Sequence, residues 1–139
     1  MINSPTIAQK FYQNIGKLFY AIAFADGKVH DKEFDSLKKL VSEDWLNNDH
    51  NTDMFGSDAV FQVEIVFDWL RNEYSSAKGC IDQFIEYYES HTSMFSPEVR
   101  NRIWKSALAI ASAYAGRNKS ELVMLNRLRA VMKPAVEQG

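Results

Sequence analysis

The residues best suited to chemistry lie in one stretch, AFADGKVHDKEF, running from Ala23 to Phe34. Asp26, Gly27, Val29 and Glu33 fall there at the spacing of positions five, six, eight and twelve of a calcium-binding EF-hand loop. Counting back from Glu33 puts Ile22 at position one and Phe24 at position three. Neither side chain offers oxygen to a hard cation, so the early carboxylates of an EF-hand are missing and that loop type is excluded. What remains is a weaker divalent-metal site built from Asp26, Asp31 and Glu33. A structural reading accounts for the same residues. With His30 as N-cap, Glu33 is the third helical residue, where its carboxylate accepts from the cap N–H and faces the positive end of the helix dipole. Asn118 and Glu121 repeat that spacing, and Asp26 before Gly27 reads as an Asx-type turn closed by a left-handed glycine.

The other polar groups offer less. Asp49, His50 and Asp53, with Asp58 nearby, make an oxygen-rich loop whose composition is that of solvated chain. His91 falls near a helix end with no nucleophile beside it in sequence, and Cys80 is the lone cysteine, set on an apolar helix as packing. The chain contains no Gly-rich phosphate loop, no GxSxG, no HExxH and no Cys/His pairing of recognisable spacing. The expectation is a non-enzyme with no cofactor beyond a weak divalent metal.

The elements that must position these groups read as helices. Ser4-Pro5 is a capping residue followed by proline at the first helical position, and Ile7, Phe11, Ile15, Phe19 and Ile22 then recur at helical spacing, predicting a helix from Pro5 to about Ala25. Gly27 breaks it. A second helix opens near Asp31 and carries Phe34, Leu37 and Val41, fading at Leu46 before a loop over 47–57. Residues 59 to 74 fit two patterns. Phe61, Val63, Ile65, Phe67 and Trp69 alternate as in a strand, while Val60, Val63, Val66, Phe67, Leu70 and Tyr74 suit a helix. No second convincing strand exists to pair with, so a helix is expected, apolar on most sides and therefore central. Helices over 77–90 and from Ser96-Pro97 follow, and after Gly116 a last one holds Leu122, Leu125, Leu128 and Met132 until Pro134. Trp45, Trp69, Trp104, Tyr87 and Tyr88 are assigned mostly to the core, with any unburied few available to form a partner groove. The fold class is all-α, one domain over residues 1–139 with about six helices.

At 139 residues and 46% hydrophobic, the chain has enough apolar surface for a single core. One cysteine cannot form an intramolecular disulfide, and no segment reaches the roughly 18 uncharged apolar residues of a membrane span, so a cytoplasmic protein is expected. Net charge is −2 but segregated: residues 43–70 sum to −7 and residues 99–136 to +7. The basic residues are scattered, and with a pI near 5.9 the composition argues against a nucleic-acid binder. Arg117 and Lys119, at the tip of the last hairpin, are the cations best placed for an anionic partner surface.

A shift of 88 residues superposes Ala25 on Ala113, His30 on Asn118, Glu33 on Glu121, Phe34 on Leu122 and Leu37 on Leu125, a degenerate repeat of two helix hairpins around a middle section. With Phe24-Ala25-Asp26-Gly27, Val29 and Glu33 opening the next helix, the sequence resembles the TerB-like family of tellurite-resistance proteins and co-chaperone domains. The resemblance spans the chain in outline and residues 15–41 specifically. It implies a helical fold, a role in protein interaction or self-association, a connection to stress response, and acidic residues that bind divalent metal. The second copy departs from the family pattern, with Tyr114 where an aspartate is expected and Arg117 and Lys119 in the loop.

The two readings of Glu33 separate experimentally. As a helix-start acceptor, Glu33→Gln is mild and Glu33→Ala costs about 1 kcal/mol. Thermal unfolding with and without calcium, magnesium, manganese or zinc decides between them: a metal-induced rise in midpoint that Glu33→Gln abolishes favours ligation over capping.

Overall fold

The computed structural model describes residues 5–25, 35, 39, 57–73, 75–113 and 119–133, for residues 5, 6, 8, 57–61, 113 and 119–121 by their backbone alone. Its elements are α1 (Pro5–Ala23), α2 (Ser57–Asn72), α3 (Ala77–Ser90), a short 3-10 turn (Thr92–Met94), α4 (Pro97–Ala113) and α5 (Lys119–Met132). The described residues form an all-helical bundle with no strand among them. Asp35 and Lys39, inside the predicted second helix, are helical and exposed; the rest of that helix and residues 47–56 of the expected loop lie outside the described residues.

The central helix is α1. Apolar residues surround its C-terminal half, so every residue from Leu18 to Ala23 is buried, and Phe11, Tyr12 and Ile15 extend the contact towards its start. It packs against α2, α3, α4 and α5 in turn. This corrects the expectation that residues 59–74 make the central helix. Residues 59–72 are helical, but α2 is amphipathic: Val63, Phe67 and Leu70 are buried, whereas Ile65 and Trp69 face outward. Side chains two apart on a helix point to nearly opposite sides, so the alternating apolar pattern splits into an inner pair, Val63 and Phe67, and an outer pair, Ile65 and Trp69.

α1 and α2 come close together at Gly16, a position the periodicity did not single out. A β-carbon there would lie 3.0 Å from the Val63 carbonyl oxygen and 3.3 Å from Val66 Cβ. At the far side of α1, Phe95 closes the core. It is 4% exposed, and its ring meets Phe11 at 5.3 Å, Tyr88 at 4.8 Å and Phe84 at 6.1 Å. Two helix starts are capped by serine, the second at the Ser96-Pro97 signal read from the sequence. Ser76 Oγ accepts from the Gly79 N–H at 3.0 Å, and Ser96 Oγ accepts from the Val99 N–H at 3.2 Å, with Pro97 at the first helical position.

The last helix is held by polar contacts near its middle and at its C-terminal end. Arg127 reaches Asp82 of α3 at 2.6 Å, and Arg100 of α4 donates to the Met132 carbonyl at 3.3 Å. Leu125, Leu128 and Met132 are buried as expected, but Leu122, predicted on the same face, is 45% exposed. It lies about 60° round the helix from Leu125, enough to carry it past the edge of the buried stripe.

Gly16 sets the spacing of the two helices that share the largest contact, and a substitution tests it. Alanine in a helix interior is intrinsically favoured over glycine by about 1 kcal/mol. The obstruction at Gly16 is a backbone carbonyl, which cannot swing aside without moving α2. Gly16→Ala is therefore expected to lower the thermal midpoint despite its propensity, and Gly16→Leu to lower it further. An increased midpoint for Gly16→Ala would show that the spacing is set elsewhere.

Candidate functional site

Most residues proposed from sequence fall beyond the region that can be described. Asp26, Gly27, His30, Asp31, Glu33, Arg117 and Asn118 lie outside the described residues, as do Asp49, His50 and Asp53. Lys119 and Glu121 have helical backbone in the first turn of α5 and Asp58 in the first turn of α2, with their side chains outside. Among the described residues no group of three His, Cys, Asp or Glu side chains is arranged to hold a metal ion.

Three features of the described surface have chemical character. The first is a cleft of about 540 Å³ between α1 and α3, lined by Asn14 and Lys17 on one wall and Gln83, Glu86, Tyr87, Ser90 and His91 on the other. It joins one ammonium and one carboxylate to neutral amides and a hydroxyl. His91 caps α3 there. Its ring stacks on Tyr87 at a centroid distance of 4.2 Å, and Nδ1 lies 2.9 Å from the Tyr87 carbonyl oxygen, a geometry that puts the Nδ1–H donor on that carbonyl. The Tyr87 hydroxyl is turned away to the Met94 sulfur at 3.6 Å.

Cys80 is on the same helix but in the core, 4% exposed. Eleven residues separate it from His91, roughly 16 Å along the axis, so the two cannot act as nucleophile and base. Burial pushes the Cys80 thiol up, with Lys17 pulling weakly the other way. A thiol held protonated is a poor nucleophile, in keeping with its assignment to packing. Beside it, Tyr20 is fully buried and donates to the Ser75 carbonyl at 2.7 Å, fastening α1 to the turn between α2 and α3. Burial, and then the neighbouring Cys80, push the Tyr20 phenol up to about 12.

The second feature is the outer face of α2. Ile65 and Trp69, one turn apart, are 57% and 58% exposed. Asp68, Asn72 and Glu73 flank them, all exposed. Of the aromatics expected mostly in the core, Trp104 and Tyr88 are buried and Tyr87 is half-buried, Trp69 is one of the unburied few, and Trp45 lies outside the described residues. The third is the outer face of α5, where Leu122 is joined by Val123 at 54% exposure, with exposed Asn126, Arg129, Ala130 and Lys133 further along. Sequence periodicity overlooked both faces, although the alternation over Phe61–Trp69 was the visible trace of the one on α2. An apolar residue every second position cannot all be buried on a helix.

Comparison of the chain with protein-family models, with curated proteins and with solved structures gave no match.

The Tyr20 latch has a pH signature. In the unfolded chain a tyrosine ionises near its ordinary value of 10, whereas the folded Tyr20 keeps its proton to about 12. A raised folded value contributes stability that is full below pH 10 and is lost as pH climbs through 12. Tyr20→Phe is expected to be less stable at neutral pH, because the Ser75 carbonyl loses its donor, yet to show a shallower alkaline loss. Urea unfolding of both proteins on either side of pH 10 measures the difference, and identical alkaline slopes would remove Tyr20 as the cause.

Proposed function

We propose that this protein is a non-catalytic interaction domain of the cytoplasm, TerB-like in fold and serving stress-response assemblies, that docks a protein partner on the outer face of α2. The carrying observation is the pair Ile65 and Trp69, exposed side by side on a helix that buries Val63, Phe67 and Leu70 on its other side. Burying a large apolar side chain stabilises by roughly 1.5–3 kcal/mol, and tryptophan is the residue most enriched among interface anchors. Asp68 and Glu73 beside the pair suit a partner surface whose apolar centre has a basic rim.

The TerB-like reading is supported by the phase of the first and fourth helices. Under the shift of 88 residues, Ile15 pairs with Ile103, Phe19 with Ala107, Ile22 with Ile110 and Ala23 with Ala111, and all eight are buried. The cytoplasmic assignment is supported by a single free cysteine that is buried. No helix among the described residues is long and apolar enough to cross a membrane.

The double variant Ile65→Glu/Trp69→Glu tests the docking face. Both side chains are more than half exposed, so far-ultraviolet dichroism and thermal midpoint are expected to stay close to those of the parent. Proteins captured by the parent chain and lost by the variant are then purified and titrated against both. Loss of binding by the variant is the expected result; equal affinity of parent and variant for every captured protein refutes the assignment of this face.

A further inference from the structure

Two exposed apolar faces on one molecule, with opposite charges beside them, suggest each other as occupants. We propose that the α2 face of one copy docks on the α5 face of a second copy, a head-to-tail contact that rests on reading the α2 face as a docking site. On α2, Ile65 and Trp69 are flanked by Asp68 and Glu73, both exposed and without an ion pair among the described residues. On α5, Leu122, Asn126 and Arg129 follow one another at three- and four-residue steps along a single exposed strip, with Val123 and Ala130 beside them and Lys133 exposed just past the helix end. Two large apolar side chains on each face thus meet two of the other, and carboxylates meet cations.

The charges also decide against the symmetric alternatives. An α2 face against its own copy sets Asp68 and Glu73 opposite like charges, and an α5 face against its own copy does the same with Arg129 and Lys133. Like charges juxtaposed across an interface disfavour it, so the unlike pairing is selected. The wider chain agrees in sign: residues 43–70, which include most of α2, sum to −7, and residues 99–136, which include α5, to +7. Both faces are exposed in the same molecule, so they do not cover each other within it.

A contact between two different faces leaves one of each free at the ends of a pair. It therefore grows into a ring or an open chain of copies rather than stopping at two. Each face is a single helix strip, which places the contact among small, transient interfaces and makes assembly dependent on concentration and salt.

Sedimentation velocity of the full chain over a concentration series, at low and at physiological salt, reads the assembly. The parent chain is expected to grow past dimer as concentration rises and to do so less at higher salt. Two variants, Ile65→Glu/Trp69→Glu and Leu122→Lys/Val123→Lys, are each expected to remain monomeric. Their equimolar mixture, in which each chain keeps one intact and complementary face, is expected to form a dimer and stop there. A charge exchange on exposed positions provides a gentler test: Asp68→Lys weakens assembly, and adding Lys133→Glu in the same chain restores it. A parent chain that stays monomeric throughout, a mixture that stays monomeric, or a charge exchange without rescue each overturns the self-docking. If self-docking fails while the α2 variant still loses a purified heterologous partner, the docking face stands and only its occupant is wrong. If that binding is also unaffected, the face itself falls.

Discussion

The close approach of α1 to α2 at Gly16 is the constraint on which the rest of the bundle depends. A β-carbon at that position would stand 3.0 Å from the Val63 carbonyl oxygen, so α2 would have to give by a few tenths of an ångström and loosen the wall it forms over the apolar half of α1 from Leu18 to Ala23. Because that half is apolar all round, it must be enclosed on every side. One helix cannot do this. The chain therefore wraps α2, α3, α4 and α5 about it, and the faces these helices turn outward are set by the faces they must turn inward.

Around this apolar centre the polar contacts are few and act as latches. The Tyr20 hydroxyl, buried with α1, finds its acceptor in the Ser75 carbonyl, at the turn where α2 ends and α3 begins. A buried phenol without an acceptor costs more than the hydrogen bond gains, so this contact fixes where that turn lies. Asp82 joins Lys78 on its own helix to Arg127 on α5, with its carboxyl held below the usual carboxylate range first by the Lys78 hydrogen bond and then by Arg127. The pair is exposed and orients α5 more than it stabilises it. Leu125, Leu128 and Met132 provide the stabilisation.

How far the sequence revealed this varies with the kind of signal. Helix starts were legible because capping is local chemistry: Ser96-Pro97 needs no tertiary context to mark an N-terminus. Helix identity over 57–72 was legible by elimination, since one strand has nothing to pair with. Centrality was not, because it depends on which helix is apolar round its whole circumference, and α1 conceals this behind two lysines, Lys10 and Lys17, on its outer strip. Gly16 was invisible for a similar reason: only the neighbour's backbone gives its missing side chain a meaning. The cleft between α1 and α3 escaped notice too, as its walls come from residues some seventy positions apart in sequence. The residues first singled out for metal chemistry, Asp26, Asp31 and Glu33, lie outside the described residues, so their geometry adds nothing to the spacing already read.

Ambiguity in α2 has a physical meaning beyond prediction. Val63, Ile65, Phe67 and Trp69, spaced two apart, cannot share one face of a helix, so the fold buries Val63 and Phe67 and leaves Ile65 and Trp69 exposed. Each unused side chain forgoes roughly 1.5–3 kcal/mol of burial, and substitution by a polar residue there costs the fold little. Folding alone thus gives no reason for a tryptophan at position 69. The acidic residues beside it give no folding reason either, since Asp68 and Glu73 have no ion-pair partner among the described residues. An apolar pair with an unmatched acidic flank is energetically incomplete in the isolated molecule. Its complement in kind, an apolar pair with a basic flank, is carried on α5 of the same chain, which ties the unburied half of the alternation to association between copies.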